Sequence, residues 1–274
     1  MATMTTPAPT RTPETPSRVA EFRGTMSDWR TLTYRNLLVW SRVPAYIVFT
    51  LVQPVMFVLM FRYVFGGAIQ TSNQGGYVNF LLPGIIGQTA AFASIGTAIA
   101  LAIEVQKGIL DRFRSMPISR SAVLAGRLVA DTARMTITIV VIVGVGYAVG
   151  FRFQNGFVPA VAMVLLAILF GLTICCVSAF IGLAVKDEES VQAFGLIWLF
   201  PLTFLSSAFV PVQSMPGWLQ AFANNQPVTH VINAMRGLAL GGPVAHELIL
   251  GLVWLAGILV VFAPLAVRAY KRAS

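Results

Sequence analysis

The chain has 274 residues, of which 57% are hydrophobic and 11% charged, with a net charge of +9 and a mean hydropathy of +0.77. A water-soluble globular domain is excluded, because no core of that size hides so much apolar surface. The positive balance reads as a membrane-topology signal and an attraction to anionic lipid, not as a nucleic-acid site.

Residues 1–18 are rich in Thr and Pro and carry no apolar run. They are expected to be a disordered cytoplasmic tail, with no cleavable signal peptide. Residues 19–274 then form one membrane domain. From Phe22 to Trp40 the pattern is helical: Phe22, Met26, Trp29, Thr33, Leu37 and Trp40 share one face, while Arg23, Arg30 and Arg35 lie off it. Such an amphipathic helix lies in the interface plane. It is either a simple anchor or a lever that also carries force into the first span.

About six apolar stretches match the roughly 30 Å hydrocarbon thickness. They are Ala45–Phe65, Asn79–Ile103, Val129–Gly150, Val158–Val185, Val191–Val210 and Leu248–Val267. The expected fold is therefore all-α and polytopic, with six transmembrane helices, since each helix satisfies its own backbone in lipid. Basic residues set the orientation. Arg11, Arg18, Arg23, Arg30, Arg35 and Arg42 precede the first span. Lys107 to Arg127 follow the second, Lys186 the fourth, and Arg268, Lys271 and Arg272 the last. The positive-inside rule makes both termini and the Glu104–Arg127 loop cytoplasmic, in a multi-pass plasma-membrane protein.

Pro54 and Pro201 should kink the first and fifth spans. The second span is rich in small residues, among them Gly84, Gly87, Thr89, Ser94, Gly96 and Thr97. That surface serves close helix packing or lines a conduit. Cys175 and Cys176 are adjacent in an apolar helix and are expected to be reduced packing residues. Between the fifth and sixth spans, Pro216–Phe222 and Gln226–Gly242 are apolar but too short to cross. They read as two short re-entrant helices dipping into the outer leaflet, either a lid or a cap on the bundle. Pro227 and Gly241–Gly242 bracket the second of them.

Glu104 to Arg120, EVQKGILDRFRSMPISR, is a dense charged segment between two long apolar runs. Glu104, Lys107, Gly108 and Asp111 are expected to continue the second helix out of the membrane. Arg112, Phe113, Arg114, Met116, Pro117, Ile118, Ser119 and Arg120 then form a turn with apolar knobs among basic residues. Docking into a protein groove requires that combination; a solvated loop that is basic only for topology explains the arginines but not Phe113, Met116 and Ile118. Beyond it, Arg127, Asp131 and Arg134 fall on one helical face as a salt-bridge set.

The pattern E-x-x-x-G-I-L-x-R-F-R-x-x-P-I-S-R at Glu104–Arg120 resembles the signature of type-2 ABC exporter permeases, especially the daunorubicin-resistance permeases of actinobacteria. The P-G-W-L-Q-x-F, Q-P-V and M-R-G-L segments near Pro216, Gln226 and Met235 resemble that family too. The resemblance implies a dimer, with a second permease copy or a sister permease, above two ATP-binding cassette ATPase subunits. It implies that Arg112–Arg120 is the coupling helix, beside the N-terminal helix of Phe22, Met26, Trp29 and Arg30. No G-x-x-x-x-G-K-[ST] loop is present, so ATP and Mg would be bound by the partner and this chain holds no cofactor and is not itself an enzyme. Met56, Phe57, Thr89, Phe92, Phe194, Trp198 and Phe204 are candidates for an apolar export path, by depth and type. The rivals are a proton-coupled secondary transporter, which needs an ionisable group deep in the membrane, and a non-transporting scaffold.

Overall fold

The computed structural model describes residues 44–66, 76–108 and 120–273, and every regular element among them is helical. Helix α1 runs Pro44–Met60 and continues as a π-helical turn, Phe61–Phe65; α2 is Tyr77–Gln106, α3 Arg120–Ala148, α4 Phe157–Val185 and α5 Glu188–Phe204. A tight turn at Val212–Ser214 leads to α6, Gly217–Asn224, then α7, Pro227–Leu240, and α8, Ala245–Ala273.

Each of the six expected apolar stretches coincides with a helix. Among the described residues, four segments are long and apolar enough to cross a membrane: Tyr77–Gln106, Gly126–Ala148, Phe157–Val185 and Ala245–Arg272. Helices α1 and α5 have 17 residues each, or about 25 Å of rise. The expected fifth span to Val210 is cut short, because α5 ends at Phe204 and the Leu205 N–H closes on the Pro201 carbonyl. The second helix also stops earlier than expected. It ends at Gln106, where Lys107 and Gly108 form a turn and Gly108 adopts φ +61. The expected tail at 1–18 and the interfacial helix at 22–40 lie outside the described residues.

Local chemistry explains the boundaries. Gly76 and Gly156, with φ near +80, precede α2 and α4. Asp187 caps α5 by accepting the Ser190 N–H at 2.8 Å. Pro227 occupies the first turn of α7, where no donor is missed, and Gly241 closes it at φ +88. Inside the helices, Thr132, Thr136, Thr138, Thr173 and Thr203 donate to the carbonyl four residues back. At these five threonines an apolar surrounding thus meets no unsatisfied hydroxyl.

Helix α2 is the hub, packed against α1, α3, α4, α5 and α7. Glycines set how closely its neighbours approach. A Cβ at Gly182 would run into the Ala98 carbonyl, and one at Gly84 into the Ala208 carbonyl. Gly84 and Ala98 of α2 are therefore packing residues, while Thr89 and Gly96 line a cleft. Cys175 and Cys176 are buried free thiols, as expected.

Candidate coupling and conduit site

At the inner end, defined by the loop after α2, the Arg127–Asp131–Arg134 face of α3 turns toward α2. There it divides into two pairings. Arg127 Nη1 meets Glu104 Oε1 of α2 at 3.0 Å, with both side chains largely buried. Arg134 pairs with Asp131 at 3.1 Å on its own helix and donates to the Ala93 carbonyl at 3.3 Å. Asp131 also accepts the Thr97 hydroxyl at 2.7 Å, and Thr97 lies 3.6 Å from the Cys175 thiol. Ser94 and Ser178 share a hydrogen bond of 2.8 Å between α2 and α4. Asp131 is buried within α3, near the start of the expected third span at Val129. A paired, hydrogen-bonded carboxylate is the form in which a charge survives burial.

Of the expected coupling residues, Glu104 and Gly108 are seen at the end of α2. Arg112, Phe113, Arg114, Met116, Pro117, Ile118 and Ser119 lie outside the described residues, as do Phe22, Met26, Trp29 and Arg30 of the interfacial helix. Arg120 starts α3. Asp187, in the short turn between α4 and α5, has its carboxyl held below the usual carboxylate range by the Ser190 hydroxyl and backbone N–H.

A cleft of about 190 Å³ opens between α1, α2 and α3. Phe57, Thr89 and Phe92 of the expected path line it, together with Gln53, Gln88 and Arg134. Its lining interleaves the two chemistries: Gln53 and Phe57 stand one turn apart on α1, as Gln88 and Phe92 do on α2. The polar members were missed by a search weighted to apolar type; single glutamines within the first two spans were the available signal. The remaining path candidates divide. Phe204 stacks on Phe200 at 4.2 Å, and Phe200 meets Phe92 edge-on at 6.4 Å, so an aromatic row joins α5 to the cleft. The row extends through Phe209 and Phe61 to Phe57. Trp198 packs half-buried against the core instead, while Met56 and Phe194 are 58% and 49% exposed and are not among the cleft-lining residues.

At the other end α7 is drawn into the protein. Val228, Val231, Ile232 and Met235 are fully buried in the core, so its apolar face meets protein, as a cap on the bundle would. Arg236 holds it there, donating to the Phe80 carbonyl at 3.0 Å, the Ser207 carbonyl at 2.8 Å and Asn233 Oδ1 at 2.8 Å. Its guanidinium also lies 3.7 Å from the centre of the Phe80 ring. His230 Nδ1 and Glu247 Oε2, 2.7 Å apart, tie α7 to α8. Helix α6 stays at the surface with Trp218 75% exposed.

The ABC-2 type transporter family model matches residues 27–240. The chain is 34% identical to the daunorubicin resistance ABC transporter permease protein DrrB1 of Streptomyces coeruleorubidus, over 94% of this chain and 89% of that one. It is 33% identical to the probable doxorubicin resistance ABC transporter permease protein DrrC of Mycobacterium tuberculosis, over 97% and 95%. A putative transport permease, ycf38, of Pyropia yezoensis is 27% identical over 76% of this chain and 72% of its own.

Proposed function

The chain belongs to the ABC-2 type transporter family, and from that premise we propose that it moves a lipophilic drug or lipid out of the cytoplasm or inner leaflet. In this reading it is the permease subunit of an exporter, and the ATP is hydrolysed by a separate cassette subunit bound at the inner end. The observation that carries the reading is the near-full-length likeness to two resistance permeases. An aromatic row that meets a cleft of mixed apolar and hydrogen-bonding lining supports it, because amphipathic cargo needs both kinds of contact.

Each chain in this account contributes six spans, with both termini cytoplasmic, and works as a dimer with a second permease and two ATPase copies. Arg112–Arg120 seats in a cleft of the ATPase, beside the interfacial helix of Phe22, Met26, Trp29 and Arg30. When ATP closes the ATPase pair, the loop is displaced and pulls the end of α2. The Glu104–Arg127 pair passes that movement to α3, and Arg134 lies at the cleft seven residues further along α3. ATP shifts this equilibrium only to the extent that it binds one arrangement better than the other.

The test is ATP hydrolysis by the purified complex across a panel of lipophilic compounds, with Phe113→Ala and Arg114→Ala beside the parent. The parent is expected to hydrolyse faster with cargo present. Each variant should bind the ATPase more weakly and lose at least tenfold of that stimulation. An unchanged rate in both variants removes the loop from the mechanism.

A further inference from the structure

Helices α4 and α8 pack together and end side by side, and a second cleft of about 320 Å³ lies between their last turns. Its floor is apolar: Leu183 is buried, while Phe180, Leu265 and Ala269 are half-buried. Phe180 meets Phe262 edge-on at 6.0 Å one turn deeper. The rim carries Lys186, Arg268 and Arg272, all exposed. No carboxylate lines the cleft, and none of these three cations enters an ion pair among the described residues.

Cations at helix C-termini are favourable in themselves, but two features of this rim carry a local cost. Arg268 and Arg272 stand one turn apart on the same helix, where like charges repel. Lys186 is the one non-glycine residue among those described with a positive φ, at +63, a position after a helix that glycine fills without strain. Topology accounts for positive charge on this side of the membrane. It does not account for three cations converging on an apolar cleft.

We propose that this cleft binds one anionic phospholipid of the inner leaflet, with its phosphate on Lys186, Arg268 and Arg272 and an acyl chain along the floor. A basic rim over apolar walls between two membrane helices is complementary to that molecule in charge and in polarity. The bound phosphate separates the two arginines and offsets the strain at Lys186. None of its lining residues lies on the proposed export path, and it does not depend on what the cargo is.

Titration of the purified full chain in detergent with phosphatidylglycerol, read by native mass spectrometry, tests it. The parent should retain one lipid saturably, and phosphatidylcholine with the same acyl chains should not compete. Retention should fall roughly fivefold for each cation removed in Lys186→Gln, Arg268→Gln and Arg272→Gln, and Arg268→Lys should keep most of it. Lys186→Gly separates lipid binding from folding: the lipid-free melting temperature should rise while phosphatidylglycerol binding weakens. Equal binding by parent and Arg268→Gln, equal binding of the two lipids, or displacement by inorganic phosphate overturns the proposal.

Discussion

Arg127 and Arg236 both lie inside the helix bundle, yet one is met by a carboxylate from a neighbouring helix and the other by backbone carbonyls. Two side chains make the inner contact, and either can turn to follow a shift of its helix. The contact at Arg236 involves the backbone of α2 and of the turn after α5, so it cannot move without moving those elements. Of these two contacts, the one at Arg127 is thus an adjustable pair and the one at Arg236 a fixed clamp. That division suits a protein pushed from one side only.

The contrast is broken most severely at Arg236. Arg236→Met leaves the Ser207 carbonyl buried without its donor and strips the Phe80 carbonyl of its second one, a loss of about 3 kcal/mol. It should appear as a large fall in the melting temperature of the detergent-solubilised chain and in the yield of folded protein. A variant as stable as the parent would show that the clamp carries little.

A smaller effect is expected at the Glu104–Arg127 pair. Reversing one partner, Glu104→Arg or Arg127→Glu, places like charges 3.0 Å apart in place of the present pair and should cost about 1–3 kcal/mol. The double reversal should recover part of the stability, because the two effects are not additive between touching residues. If this pair is the adjustable contact, cargo-stimulated ATP hydrolysis should fall further in the single variants than melting temperature does.

The smallest effect belongs to Asp187. Its folded carboxyl titrates below the usual range, so the cap is in place above the unfolded value of about 3.9. Its contribution disappears as the pH falls through the lower, folded value. Asp187→Ala should therefore fray the start of α5 in hydrogen exchange at neutral pH, and the difference from the parent should vanish in acid.

What the sequence disclosed, and what it hid, follows from where each interaction's partners lie. Apolar runs of about twenty residues marked the helices, because lipid imposes that length directly. The spacing of Arg127, Asp131 and Arg134 placed them on one face, since all three belong to one helix. The clamp was illegible for the opposite reason: the acceptors for Arg236 are main-chain atoms at Phe80 and Ser207, and a carbonyl leaves no mark in residue type. The burial of α7 was hidden too, because an apolar helix reads alike whether lipid or protein covers it. Only the structure shows Val228, Val231 and Ile232 filled on all sides by protein. In the first cleft, Phe57 and Phe92 stood out as aromatic residues, while Gln53 and Gln88 gain meaning only when α1 and α2 bring them together.

Drug efflux measured in proteoliposomes holding this chain with its cassette ATPase tests the central claim most directly, using doxorubicin as a fluorescent cargo. The account predicts ATP-dependent accumulation that is abolished when the partner's nucleotide site is disabled and unaffected when a proton gradient is collapsed. Efflux that persists with the disabled partner and follows the proton gradient would contradict it.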